Sequence, residues 1–148
     1  MAISAEIGSV EVQRLRQDAI IPTKTNATDA GFDLYVSTKE EIVLNPKETK
    51  LISTGIAMAL PRGYAGLIWD RSSMGVKGIH RFAGVVDSGY RGEIKVCLYN
   101  SNDRPYSINS GDRIAQILIQ KVDSFYLREV IDLNKTDRGS GGFGSSGK

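Results

Sequence analysis

The sequence predicts an all-β protein, built as a sandwich, jelly roll or barrel. Three observations carry that expectation. Short apolar stretches recur along the chain, each rich in β-branched or aromatic residues. Gly, Pro, Asn or Asp bounds them, which is the residue chemistry of turns. No apolar i, i+3, i+4 pattern persists over ten residues, so the periodicity of a packed helix face is missing.

In chain order the first predicted strands are VEVQRL (10–15), FDLYV (32–36) after the turn-rich TNATDAG, EIVLN (41–45) before Pro46, KLISTGIAMAL (50–60) before Pro61, and YAGLIWD (64–70) after Gly63. FAGVV (82–86) and EIKVCLY (93–99) flank DSGYRG and read as a β-hairpin, with Asp87 where the first strand ends and Gly89 and Gly92 supplying the turn geometry. RIAQILIQKV (113–122) enters from the turn SGD, and FYLREVIDL (125–133) is the last predicted strand. At most one short helix is expected, near RSSMGVKG (71–78). There is no internal repeat, so residues 1–135 form one β-rich domain and the Gly/Ser-rich 136–148 a flexible C-terminal arm of that domain.

At 148 residues the chain is long enough to bury its own core, and 41% hydrophobic with 24% charged residues describes a soluble globular composition. A formal charge of +2 is too small for a broad nucleic-acid footprint, so an anion must be met by local groups. No run of eighteen apolar residues suggests a membrane span, and MAISAEIGSVEVQRLR lacks the charged-then-apolar order of a signal peptide. The expected place of action is the cytoplasm, or the nucleus of a eukaryotic or viral host, without secretion. A lone Cys97 excludes an internal disulfide, and a lone His80 leaves no zinc-type cluster. A metal, if used, is an oxygen-bound one such as Mg²⁺.

Several segments hold candidate chemistry. Arg71, Ser72 and Ser73 offer a guanidinium fork, two hydroxyls and consecutive backbone N–H groups, a compact donor set for phosphate oxygens. Asp33 is a lone acid in an apolar strand and needs a partner, for which a metal-bound water or a backbone donor would serve. Asp112 reads as structural, while Gln116 suits either a satisfied core amide or a ligand donor. Asp87 and Tyr90 alone read as a turn cap and a cover for the sheet edge. The tail DRGSGGFGSSGK fits G-x-x-x-x-G-K from Gly142 to Lys148, but a phosphate loop follows a strand and opens a helix, and no helix is expected beyond Lys148.

Together these segments form a pattern. AGFDLY (30–35), RSSMG (71–75), AGVVDSGYRGEI (83–94), GDRIAQILI (111–119) and RGSGGFGSSG (138–147), in that order and at those separations, resemble the five motifs of the trimeric dUTP pyrophosphatase family. The resemblance implies a jelly-roll-like homotrimer with a mobile arm, hydrolysing dUTP to dUMP and pyrophosphate with Mg²⁺, in sites that each draw on three subunits. It implies that Asp87 activates the attacking water and that Tyr90 packs on the deoxyribose and excludes a 2′-hydroxyl. The resemblance further implies that the backbone near Gly84 and Lys95 reads the uracil edge, that Arg71, Ser72, Ser73 and Gln116 bind phosphate, and that Asp33 holds metal-bound water. By the same resemblance Arg138, Phe143, Ser145 and Ser146 would form the closing motif, with the aromatic over uracil and the arginine on the γ-phosphate.

Three features depart from that pattern. Asp70 stands before Arg71 where most members of that family carry a neutral residue, commonly proline, so it must point away, pair with a basic group or help bind metal. The stretch VKGIHRF is short, which raises a pocket role for His80 or Arg81, and Ser146 replaces a frequent threonine. The rival enzyme of this fold is a dCTP deaminase, which needs a glutamate where Cys97 stands. A nucleotide-sensing module with a regulatory protein partner is the rival of another class, and a pull-down with and without dUTP separates it.

Overall fold

The computed structural model describes residues 8–147, so Lys148, the last residue of the G-x-x-x-x-G-K match, lies outside the described residues. Ten strands and one helix follow one another: β1 Glu11–Arg14, β2 Phe32–Tyr35, β3 Ile42–Leu44, β4 Thr49–Ala59, β5 Tyr64–Trp69, α1 Ser72–Val76, β6 Ile79–Phe82, β7 Val85–Val86, β8 Glu93–Asn100, β9 Tyr106–Ile108 and β10 Arg113–Lys121. The described pairings are antiparallel and give two four-stranded sheets, β1-β4-β8-β6 and β2-β10-β5-β7, with a two-stranded β3-β9 ribbon. One buried cluster joins them, with Ile52 and Leu98 from the first sheet, Leu34 and Ile117 from the second and Leu44 and Ile108 from the ribbon. Alternation along each strand aims these side chains inward, and burying each stabilises the sandwich by about 1.5–3 kcal/mol. Among the described residues no helix is long and apolar enough to cross a membrane.

Polar groups inside this core are satisfied. Asn100 is fully buried, and its Nδ2 donates to the carbonyls of Leu44 at 2.9 Å and Arg104 at 2.8 Å, tying the ribbon to β8. In β4 the register with β8 slips between Ser53 and Ala57 around Gly55, at φ 69°. A Cβ at Gly55 would meet Ala19 Cβ at 2.9 Å, so both conformation and space require glycine there.

Three expectations change. FAGVV is not one strand: Ala83 (φ 57°) and Gly84 (φ 112°) adopt left-handed backbone and divide it, so β6 joins β8 in one sheet and β7 joins β5 in the other. DSGYRG is therefore a crossing between sheets and not a hairpin tip, and the positive-φ residues precede Asp87, whereas Gly89 and Gly92 are not among them. FYLREVIDL forms no strand, and Phe125, Tyr126, Leu127 and Ile131 are almost wholly exposed. A strand exists only by pairing its backbone, and among the described residues this segment pairs with no sheet edge. Finally, β9 was not foreseen; three residues after Pro105 carry too short a pattern.

Candidate active site

The second sheet brings the phosphate-binding candidates together at one end. On β10, Gln116 lies opposite Asp33 of β2 on one side and Trp69 of β5 on the other. Just past Trp69 the chain leaves the sheet through Asp70 and Arg71 into α1, whose first residues are Ser72 and Ser73. Asp33 and Arg71 thus come from neighbouring elements although 38 residues separate them.

Asp33 finds protein partners in two guanidiniums. Arg71 Nε donates to Oδ1 at 2.9 Å and Arg113 Nη1 to Oδ2 at 3.2 Å. The carboxylate is 16% exposed and Arg71 24%, so this pairing is shielded from much of the solvent. Arg71 Nη1 also donates to Ser73 Oγ at 3.4 Å and to the Arg113 carbonyl at 3.3 Å. Two cations against one carboxylate leave the corner positive, with the hydroxyls of Ser72 and Ser73 exposed beside it. This is a donor array for an anion with several oxygens.

Gln116 adds to the corner: its Nε2 donates one hydrogen to the Asp70 carbonyl at 2.9 Å. Gly31 makes room for it, since a Cβ there would sit 2.5 Å from Gln116 Oε1. The expected structural role of Asp112 also holds, because its Oδ2 accepts from the Asn109 N–H at 2.8 Å and closes the turn into β10.

Asp87 and Tyr90 stand elsewhere. β7 runs antiparallel to β5 with Val86 opposite Gly66 and Val85 opposite Leu67, so Asp87 emerges beside the beginning of β5. Arg71 follows the end of that strand. At about 3.3 Å per residue the two are roughly 15–20 Å apart, too far to share one substrate atom. Gly84 lies between them, its carbonyl accepting from Ile68 N–H at 2.8 Å. The exposed Asp87 opens a turn closed by Tyr90 N–H to its carbonyl at 3.1 Å.

Tyr90 is held in place, its hydroxyl donating to the Glu93 carbonyl at 2.9 Å, and any Cβ at Gly92 would overlap its ring. Glu93 is fixed in turn, with Oε1 accepting from Gly55 N–H at 2.8 Å and from Arg16 Nη2 at 3.2 Å. Lys95 stands exposed on β8, with its Nζ 3.7 Å from Glu93 Oε2.

The last candidates meet neither end. Residues 136–147 form successive turns whose hydrogen bonds close within the segment, including Arg138 Nε to the Gly141 carbonyl at 2.9 Å. Phe143 is fully exposed, and Ser145 and Ser146 are exposed with it. Arg113 and Glu93 are the site residues that sequence reasoning passed over. Arg113 and Gln116 are three apart, which places them on opposite faces of a regular strand, but a bulge between Arg113 and Ala115 re-aims the arginine. Only that irregularity, invisible in the pattern, puts a second cation on Asp33.

A family model described as dUTPase matches residues 17–147. The chain is 46% identical over 145 residues to a deoxyuridine 5′-triphosphate nucleotidohydrolase of Nocardia farcinica, covering 95% of this chain and 87% of that protein. It is 43% identical over 146 residues to the protein of the same name from Wolbachia pipientis, covering 94% and 95%. Among solved structures it superposes on the Staphylococcus bacteriophage 80alpha dUTPase with dUpNHpp at a TM-score of 0.86 and 30% identity, covering 95% and 99% of the two chains. A mutant dUTPase of the S. aureus phage phi11, whose structure describes a structural Mg(II) ion, matches at 0.79 and 27% identity, covering 86% and 100%. With its jelly-roll-like β-sandwich and these matches along nearly its whole length, the chain belongs to the dUTPase family.

Proposed function

We propose that this chain hydrolyses dUTP to dUMP and pyrophosphate, by attack of water on the α-phosphate, as a homotrimer whose sites are shared between copies. The observation that carries the reading is the division of the site along β5: a positive donor corner at one end, and a carboxylate with a fixed aromatic at the other. A second copy that sets its Asp87 end against the first copy's Arg71 end makes one site from the two halves. The unpaired FYLREVIDL segment supports self-association, because its exposed Phe125, Tyr126 and Leu127 need a surface that their own sheet edges do not offer.

In the closed site Asp87 accepts a proton from water as the oxygen attacks the α-phosphorus, and the bond to the bridging oxygen breaks to release pyrophosphate. General base catalysis supplies roughly 10²–10⁴-fold, so the larger share of the acceleration rests on positioning and charge stabilisation. Arg71, Ser72, Ser73 and Gln116 bind the phosphates. Tyr90 covers the deoxyribose and leaves no space for a 2′-hydroxyl, while backbone groups near Gly84 and Lys95 meet the uracil edge. The tail closes the site: Arg138 adds charge at the γ-phosphate, Phe143 stacks on the base, and Ser145 and Ser146 donate to phosphate oxygens.

The donor set fits a Mg²⁺ carried by the substrate. Asp33 has about four lone-pair positions, two of which receive guanidinium N–H groups, so it can still accept from a metal-bound water without a protein-built cage. When bound, the ion offsets triphosphate charge. Product analysis after incubation with dUTP, dCTP, dTTP and UTP in Mg²⁺ tests the reading. Release of dUMP and pyrophosphate from dUTP alone supports it, and ammonia from dCTP would replace it with deamination.

A further inference from the structure

Asp70 has no part in the reaction described above, yet it stands next to Arg71, where a free carboxylate would repel a polyphosphate. Its side chain turns away from that corner and reaches the other sheet. Oδ2 lies 2.5 Å from His80 Nδ1, and Oδ1 accepts the backbone N–H of Arg81 at 2.8 Å. Its own carbonyl accepts from Gln116 Nε2 at 2.9 Å.

The neighbours on both sides are held as well. The Arg81 guanidinium lies 4.9 Å from the centre of the Trp69 ring, and its Nη1 donates to the Ala83 carbonyl at 2.9 Å. His80 meets Phe82 edge-on at 5.7 Å, and Phe82 stacks on Tyr99 at 5.2 Å. Trp69, Asp70 and Arg71 are thus fixed one after another, by Arg81, by His80 with the Arg81 backbone, and by Asp33. Since β5 and β6 belong to different sheets, the contacts of Asp70 bridge the sandwich at the point where the phosphate corner begins.

We propose that Asp70 is a positioning residue for polyphosphate binding: latched to His80 and the Arg81 backbone, it sets the direction in which Arg71, Ser72 and Ser73 leave the sheet. The pairing with His80 also keeps its charge turned from the phosphates. This rests on the functional reading above and adds to it the role of a residue outside the binding set.

Two accounts of Asp70 make opposite predictions. If the carboxylate acted mainly by repulsion, Asp70→Ala and Asp70→Asn would both tighten binding. As a latch, Asp70→Ala raises KM for dUTP and the dissociation constant for dUpNHpp roughly 5- to 50-fold, with kcat within about threefold, because the corner's direction is lost and the general base is untouched. Asp70→Asn keeps an oxygen for the Arg81 N–H and a group to face His80, so it restores most of the affinity. Amide hydrogen exchange over 70–76 in the ligand-free protein rises in the alanine variant and stays near wild type in the asparagine variant. Unchanged exchange there, or analogue binding as tight as wild type or tighter in Asp70→Ala, overturns the latch. A wild-type chain that leaves dUTP intact overturns the reaction instead, while the exchange comparison still decides the latch.

Discussion

The two ends of β5 are built differently. At the Arg71 end almost every polar group is engaged inside the chain: Asp33 holds two arginines, Gln116 holds the Asp70 carbonyl, and Asp70 reaches across to β6. At the other end the Asp87 side chain is exposed, and behind it Tyr90 and Glu93 are braced. The braced end is suited to binding, where fixed donors meet a ligand without reorganising. The open end is suited to chemistry, where a carboxylate must accept a proton once a water is presented to it. The fold keeps the two a strand's length apart.

The largest effect expected from breaking this division is at the open end. Asp87→Asn keeps shape and binding but cannot take the proton, so turnover falls roughly 10²–10⁴-fold while dUpNHpp affinity stays near wild type. Steady-state kinetics with a binding isotherm check both halves, and wild-type turnover would remove Asp87 from the role of base.

Deleting residues 138–148 comes next. The described hydrogen bonds of the tail close within it, so the melting temperature should hardly move, whereas turnover drops roughly 10²-fold or more with the loss of one electrostatic donor and of water exclusion. In the intact chain, dUpNHpp should protect the tail from protease. Equal cleavage with and without the analogue would reduce the segment to a linker.

Tyr90→Ala is the mildest of the three. It should weaken dUTP and narrow the gap between dUTP and UTP by roughly 10–200-fold, the range a lost steric and packing contact allows. Competition assays with the two nucleotides measure it, and an unchanged ratio would place sugar recognition elsewhere.

The same division governs what could be read from the sequence. Local pattern is enough for most strands and for α1, since apolar alternation and turn residues act over a few positions. It failed where a distant partner decides the outcome. FYLREVIDL has strand composition but pairs with none of the described strands, and FAGVV is cut by left-handed backbone at Ala83, a residue whose type gives no warning. Arg113 reaches Asp33 only through a bulge. The distance between Asp87 and Arg71 was equally hidden, because motif order along the chain does not say which end of a strand each motif occupies.

The central claim, that one chain holds two half-sites and a second copy completes them, is tested most directly by complementation. Asp87→Asn and Arg71→Ala chains, each nearly inactive alone, are unfolded, mixed in equal amounts and refolded together. If each site takes its Arg71 and its Asp87 from different copies, random assembly restores roughly a quarter of wild-type turnover, the fraction of sites in which both residues are intact. A mixture no more active than its two components would mean that both residues serve the same site from one chain, and the account would be wrong.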